Sequence, residues 1–232
     1  MKRRPRAESA APRELTLALP DGRREVNVRA VADLPASVAG PGLLLTHGAG
    51  GDIFGAGLSA LAAGLAGRGH PVVRFNLPYR EAGRTTPPAA ERSVPAYAAA
   101  FEQAGEALSS VTGTWSAGGK SYGGRVASMA VAEGMPAAGL VFYGYPLHPP
   151  GHADRLRVDH WPAIRVPCLF LQGTDDPFCD LALLQRNLDL LGGSADLYVV
   201  EGGNHSLRVR GQTEGAVLAD LAPRVAAWLE QL

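Results

Sequence analysis

The sequence contains few cysteines, no excess of charge of either sign and no long apolar run. Cys168 and Cys179 are the only cysteines among 232 residues, which is too few for a disulfide framework or a cysteine-based zinc site. We therefore expect two unpaired thiols in a reducing compartment, with the cytoplasm as the default location. No apolar run reaches the roughly 18 residues of a membrane-spanning helix, so we predict no membrane association.

Charge excludes a further class of partners. The chain has 22 basic and 22 acidic residues, and a neutral chain has no general attraction for nucleic acid. Residues 1–6 are basic, but no apolar segment follows them, so they do not form a secretory signal. We predict that residues 1–12 are a flexible basic tail rather than a nucleic-acid-binding arm, because short terminal charge clusters are commonly solvated.

Apolar residues make up 46% of the chain, enough for a globular core. Residues 13–232 alternate between short apolar runs and segments with helical spacing. Alternating residues on both sides of Asp21-Gly22 predict a β-hairpin, and continuous apolar runs are typical of strands buried in a parallel sheet. The predicted strands are Glu14–Leu19, Glu25–Val28, Leu43–Leu45, Val72–Phe75, Thr114–Ala117, Leu140–Tyr143, Cys168–Leu171 and Asp196–Val200. Apolar residues recur every three or four positions over Val94–Val111, Leu181–Leu191 and Val217–Leu232, which predicts helices. We expect a single α/β domain whose mainly parallel, twisted sheet carries helices on both faces.

The segment Gly119-Lys-Ser-Tyr-Gly123 follows a predicted strand and matches the pattern G-x-S-x-G. Glycines two residues on either side of a serine permit a sharp strand-to-helix turn that exposes the hydroxyl above the sheet. The pattern alone is weak, because glycine is abundant in this chain. Its location at a strand end makes Ser121 the candidate nucleophile.

The same residues nearly form a phosphate-binding loop. Gly-Lys-Ser would need a further glycine at position 114, where the chain has threonine, and a shortened loop would hold its N–H groups out of register. Nucleotide binding is therefore the least favoured of the three functions that we consider.

A serine nucleophile needs a base, and the base needs a partner that orients it. After Ser121, the predicted strands end in Gly173-Thr-Asp-Asp176 and then in Asn204-His205. This order, acid before histidine, is that of the serine hydrolases built on such sheets. We assign His205 as the base and prefer Asp176 over Asp175 as the acid, because Asp176 fits a G-x-x-D turn.

Two backbone N–H groups are candidates to bind the developing oxyanion. One belongs to Tyr122, directly after the nucleophile, and the other to Ala49 in the glycine-rich loop that begins at His47. We interpret His47 as an organiser of that loop. The remaining histidines lack metal-ligand spacing, so we predict no metal.

These blocks together resemble the α/β-hydrolase superfamily, and within it the small dienelactone-hydrolase-like group that includes testis-expressed and chromatin-complex-subunit hydrolase-like domains. The similarity covers about residues 15–232. The blocks that carry it are Thr46-His-Gly-Ala-Gly-Gly51, Asn76-Leu-Pro-Tyr-Arg80, Gly119-Lys-Ser-Tyr-Gly-Gly-Arg125, Tyr143-Gly-Tyr-Pro-Leu-His-Pro-Pro-Gly151 and Gln172-Gly-Thr-Asp-Asp-Pro-Phe178. The resemblance implies an α/β-hydrolase fold and a cofactor-free serine hydrolase with a Ser-Asp-His triad.

Only about 20 residues separate the predicted strands that end at Tyr143 and begin at Cys168, so we expect no large cap domain over the site. Four residues of the surrounding loops are candidates to line a substrate pocket: Tyr79, Arg80, Tyr145 and His148. We predict hydrolysis of a carboxylic ester, lactone or thioester of a small acyl substrate through an acyl-enzyme. The alternative is a non-catalytic interaction domain that keeps the same fold.

Overall fold

The computed structural model describes residues 11–232, in which eight strands form one sheet. Of the predicted tail, residues 1–10 lie outside the described residues. The strands are β1 (Arg13–Asp21), β2 (Arg24–Asp33), β3 (Gly42–Thr46), β4 (Val72–Phe75), β5 (Trp115–Lys120), β6 (Leu140–Tyr143), β7 (Cys168–Gly173) and β8 (Ala195–Val200). Their order across the sheet is β1-β2-β4-β3-β5-β6-β7-β8.

The predicted mainly parallel sheet is confirmed. β1 and β2 form the antiparallel hairpin, and β2 pairs antiparallel with β4. All the remaining neighbours pair in parallel. Because parallel strands share one direction, the carboxyl ends of β3 to β8 lie at one rim, and the loops that follow them lie close together.

Helices cover both faces of the sheet, as predicted. They are α1 (Ala56–Ala66), α2 (Pro78–Glu81), α3 (Val94–Ala107), α4 (Tyr122–Ala132), α5 (Leu181–Asn187) and α6 (Glu214–Leu229), with 3₁₀ turns at Ala90–Ser93, Trp161–Ala163 and Leu188–Leu190. One buried apolar cluster joins α3 and α4 to the sheet. A second cluster joins α1 and α6 to the opposite face.

The helix bounds differ from the sequence pattern in several places, and α6 spans Glu214–Leu229 where the pattern predicted Val217–Leu232. α3 ends at Ala107, before Val111, and the helical pattern of 181–191 divides at Asn187 into α5 and a 3₁₀ turn. Helix α1 lies in a glycine-rich stretch that the pattern did not assign. Its glycines permit close packing, since a Cβ at Gly64 would lie 2.5 Å from the Cβ of Ala222 on α6.

No cap domain covers the rim between β6 and β7. The connection of residues 144–167 contains only a three-residue 3₁₀ turn, Trp161–Ala163. Within residues 11–232, no helix has the length and apolar character needed to cross a membrane.

His160 precedes this 3₁₀ turn and connects it to α4. Its Nε2 lies 2.7 Å from the Oγ of Ser128, whose hydroxyl donates to the carbonyl oxygen of Arg125. Burial, and secondly the nearby Arg125 charge, lower the pKa of His160 to about 4. The neutral ring is therefore the form that the folded state holds.

This lowered pKa predicts acid sensitivity. The unfolded chain takes up a proton at His160 near its ordinary pKa of about 6.5, whereas the folded chain does so only near the lowered value, so stability falls as pH drops between the two. We expect His160→Gln to lose less free energy of unfolding than wild type between about pH 7 and about pH 5. Urea titrations at both pH values measure this, with exposed His152→Gln as the control. Equal losses in wild type and His160→Gln would contradict the prediction.

Candidate active site

Ser121 occupies a strained turn between β5 and α4. Its backbone φ is +49°, a left-handed value that few residues other than glycine adopt. The Ser121 N–H donates to the carbonyl oxygen of Tyr143 at 2.9 Å, and the Ser121 carbonyl accepts from the N–H of Arg125 at 3.0 Å. These two hydrogen bonds hold the turn from the neighbouring strand and from the first turn of the helix.

The flanking glycines are required by the contacts of this turn. A Cβ at Gly119 would lie 2.7 Å from the carbonyl oxygen of Thr46, and one at Gly123 would lie 2.6 Å from that of His47. Both carbonyls belong to the end of β3 and the loop after it. The pattern G-x-S-x-G therefore reflects close packing of the serine turn against β3.

His205 lies between Ser121 and Asp176. Its Nε2 is 2.7 Å from the Oγ of Ser121, and its Nδ1 is 2.8 Å from the Oδ2 of Asp176. The three residues follow β5, β7 and β8, so the parallel sheet brings together groups that are 84 and 29 residues apart in the chain. Such a chain of hydrogen bonds permits proton transfer from the hydroxyl to the imidazole.

The two neighbouring aspartates have different surroundings. Asp176 is buried and accepts hydrogen bonds from the side chain of Gln172 at 2.6 Å and from the N–H of Phe178 at 2.8 Å. Asp175 is exposed and bonds the hydroxyl of Thr174. The preferred acid from the sequence is thus the one that contacts His205.

Phe178 is a contact of the site that the sequence did not indicate. Its ring stacks on the imidazole of His205, with centroids 4.2 Å apart and planes inclined by 29°. The aromatic ring therefore covers one face of the imidazole. A lone aromatic residue after Asp-Asp-Pro carries no sequence signal for this contact.

The loop after β3 is organised by His47, as expected. Burial lowers the pKa of His47, so its ring is neutral, and its Nε2 accepts a hydrogen bond from the N–H of Leu77 at 3.2 Å. Its Nδ1 lies 2.9 Å from the carbonyl oxygen of Gly48. Within residues 11–232, the N–H groups of Ala49 and Tyr122 donate to no other protein group, so both are free for an external acceptor.

The four candidate lining residues lie in different environments. Tyr145 is fully buried, and its hydroxyl donates to the carbonyl oxygen of Arg157. His148 is also buried, and its Nε2 accepts from the N–H of Asp180. The structure therefore places both residues inside the loops rather than on a pocket surface. Arg80 is half-buried and lies 3.5 Å from the carboxylate of Asp52.

Tyr79 is the candidate that lines a cavity. The cavity has a volume of about 430 Å³, and Ser93 and Arg84 also line it. The Oγ of Ser93 lies 2.8 Å from the hydroxyl of Tyr122, the residue after Ser121. The side chain of Tyr122 thus lies between Ser93, which lines this cavity, and the serine turn.

Residues 39–230 match the family described as alpha/beta hydrolase domain. The chain belongs to this family. The predicted α/β-hydrolase fold is thereby confirmed, together with the resemblance from which it was inferred.

Solved structures of several hydrolases share the fold of this alpha/beta hydrolase. A dienelactone hydrolase from Anabaena variabilis superposes with a TM-score of 0.74 at 20% identity, over 95% of this chain and 98% of that one. XC6422 from Xanthomonas campestris, described as a serine hydrolase without a lid, gives 0.70 at 22% identity over 96% and 95%. The esterase Pf2001 from Pyrococcus furiosus gives 0.76 at 13% identity over 95% and 92%.

No metal centre accompanies this site in the described part of the chain. Residues 11–232 contain no group of three or more histidine, cysteine and carboxylate side chains placed to bind a metal ion.

The packing of the serine turn predicts that alanine is harmful at Gly123 but tolerated at a glycine outside the turn. Gly123→Ala places a Cβ against two backbone carbonyls at 2.6 and 2.8 Å, and backbone atoms cannot yield without moving β3. We expect Gly123→Ala to lower the melting temperature and to reduce the reactivity of Ser121. Gly113→Ala is the matched control, since its Cβ would meet no atom within 4 Å. Similar melting temperatures and reactivities in the two variants would contradict this account.

Proposed function

We propose that this alpha/beta hydrolase cleaves an ester-like bond, a carboxylic ester, lactone or thioester, through an acyl-enzyme formed on Ser121. The observation that carries the proposal is the position of His205, which contacts the hydroxyl of Ser121 with one ring nitrogen and the carboxylate of Asp176 with the other. A neutral imidazole held in this way can act only as a base toward the serine, because its Nδ1–H is already donated to the aspartate.

The first half of the reaction forms the acyl-enzyme. The Oγ of Ser121 attacks the carbonyl carbon of the substrate while its proton passes to the Nε2 of His205. Asp176 stabilises the imidazolium that results. The negative charge on the carbonyl oxygen is held by the free N–H groups of Ala49 and Tyr122. His205 then returns the proton to the leaving alcohol or thiol, and the carbon–heteroatom bond breaks.

The second half releases the acyl group. A water molecule takes the place of the leaving group, gives its proton to His205 and attacks the acyl carbon of the Ser121 ester. Collapse of the second tetrahedral intermediate returns the proton from His205 to the Oγ of Ser121. The products are a carboxylic acid and an alcohol or thiol, which for a lactone are parts of one hydroxy acid, and the enzyme is regenerated.

The surroundings of the rim favour small acyl substrates. No cap domain formed by residues 11–232 encloses the site, so these residues offer little surface to bind a long acyl chain. The cavity of about 430 Å³ that Tyr79 and Ser93 line includes none of the three triad residues in its lining. An open rim of this kind orients the reacting bond but supplies little binding energy.

Covalent labelling tests the nucleophile directly. We expect a fluorophosphonate to form one adduct on the intact protein and to locate to Ser121 by peptide mass spectrometry. Ser121→Ala should give no adduct and no turnover of short p-nitrophenyl esters. A wild-type protein that neither reacts nor turns over any member of a panel of esters, lactones and thioesters would overturn the proposal in favour of a non-catalytic interaction domain.

The adjacent aspartates provide a matched pair for the acid. Asp176→Asn removes the charge that orients His205, and losses of about 10⁴-fold in kcat are typical for this change in a serine triad. Asp175→Asn alters an exposed side chain one residue away, so we expect its kcat to stay within about twofold of wild type. Steady-state kinetics on the best ester of the panel measure both variants. Equal effects at the two positions would remove Asp176 from the mechanism.

A further inference from the structure

Lys120, directly before Ser121, takes no part in the chemistry described above but reaches the loop that carries His205. Its Nζ donates to the Oγ of Ser206 at 2.8 Å and to the carboxylate of Glu214 at 2.9 Å. Its charge also lies 5.1 Å from the centre of the Tyr143 ring. A single ammonium group therefore joins the end of β5 to the residue after the imidazole and to the start of α6.

Tyr143, at the end of β6, completes this group of contacts. Its hydroxyl lies 3.0 Å from the carbonyl oxygen of Ser206 and contacts the Glu214 carboxylate. Burial, and then the hydrogen bond to Glu214 and its charge, raise the pKa of Tyr143 well above its usual range, so the hydroxyl stays protonated and donates. Ser206 is thus contacted twice, at its side chain by Lys120 and at its carbonyl by Tyr143, whose single hydroxyl proton is shared with Glu214.

Space for these contacts comes from Gly57 on α1. A Cβ at this position would lie 2.5 Å from the Oε1 of Glu214 and 2.7 Å from the hydroxyl of Tyr143. Helix α1 therefore has no side chain at the point where the Glu214 carboxylate and the Tyr143 hydroxyl meet.

The loop that these contacts hold has a strained backbone. Leu207, two residues after the imidazole, has a φ of +54° and is fully buried. Before it, the side chain of Asn204 accepts from the N–H of Ser206 at 2.9 Å. A backbone in the left-handed region persists only where its surroundings enforce it, and Lys120 and Tyr143 contact Ser206, the residue before Leu207, from the sheet.

The choice of lysine at this position is also specific. Of the 22 basic residues, only Lys2 and Lys120 are lysines, and the others are arginines. An ammonium group is compact and can direct three donors to different acceptors, whereas a guanidinium is a planar fork. The three partners of Lys120, a hydroxyl, a carboxylate and an aromatic face, suit the compact group.

We propose that Lys120 is a positioning residue that fixes His205 relative to Ser121. It achieves this by tying the strand that carries the nucleophile to the loop that carries the base, with Glu214 and Tyr143 as its partners. The expected effect on kcat rests on the proposed function, whereas the expected effect on the position of His205 does not. It also gives the lysine of the Gly-Lys-Ser sequence a role other than phosphate binding, since its donors are used within the protein.

Lys120→Met keeps most of the side chain and removes the charge and all three donors. We expect kcat on a short ester to fall about 10- to 100-fold, because small displacements of a catalytic group have effects of this size. KM should stay within about twofold, since Lys120 contacts no proposed substrate atom. Glu214→Gln and Tyr143→Phe should lower kcat less, and Lys120→Met combined with Glu214→Gln should cost less than the product of the single effects.

The matched control is Arg224→Met. Arg224 lies on α6, as Glu214 does, and places its charge 4.5 Å from the centre of the ring of Tyr198 on β8. We expect this variant to keep wild-type kcat. Melting temperatures of all variants separate a loss of folded protein from a loss of positioning, and Glu214→Gln and Tyr143→Phe carry the test if Lys120→Met does not fold.

A second readout separates this proposal from the proposed function. In protein labelled with ¹⁵N-histidine, the proton on the Nδ1 of His205 reports its hydrogen bond to Asp176 by NMR. We expect this resonance to persist in wild type, Ser121→Ala and Arg224→Met, and to broaden or disappear in Lys120→Met. If the wild-type protein shows no turnover, the proposed hydrolase function is refuted. The Nδ1 proton resonance of His205 then still tests the role of Lys120. An unchanged resonance in Lys120→Met, or an unchanged kcat where wild type turns over, would overturn the positioning role.

Discussion

The contact between the imidazole of His205 and the hydroxyl of Ser121 depends on the direction in which the strands run. The two residues are 84 positions apart, and they meet because β5, β6, β7 and β8 are consecutive neighbours that all point the same way. A rim of this kind gathers the ends of distant segments without a dedicated binding domain. The buried strands below it fix the spacing of the loops, so the precision of the site comes from the sheet and not from the loops alone.

Much of this arrangement could be predicted from the order of residues. A continuous apolar run marked β6 with its observed bounds, because a strand buried on both faces has little need of polar residues. The apolar residues of β4 also marked its bounds, although they are interrupted by the buried Arg74, which pairs with Asp33. The serine turn was predictable for a different reason. Its two glycines are required by contacts with β3, so this steric requirement can be recognised in the sequence as the G-x-S-x-G pattern.

Other features of the site and the fold have no recognisable signal in the sequence. Tyr145 and His148 occur in a loop rich in proline and glycine, which favours an exposed position, yet their polar atoms find partners inside the protein. The stack of Phe178 on His205 and the contacts of Lys120 with Ser206 depend on how separate loops approach one another. Helix α1 was missed because its glycines lower local helix propensity, whereas its stability derives from packing against α6. In each case tertiary contacts outweigh the local preference.

The short connection between β6 and β7 has a kinetic meaning for a hydrolase of the proposed type. Enzymes that close a lid over the substrate spend part of each cycle opening and shutting it, and that motion often limits turnover. A rim without a lid has no such gate. Substrate and product then enter and leave by ordinary diffusion, so solvent viscosity has little influence on turnover when the chemical step is slow. Selectivity depends on the reactivity of the substrate's carbonyl group more than on enclosure of the substrate.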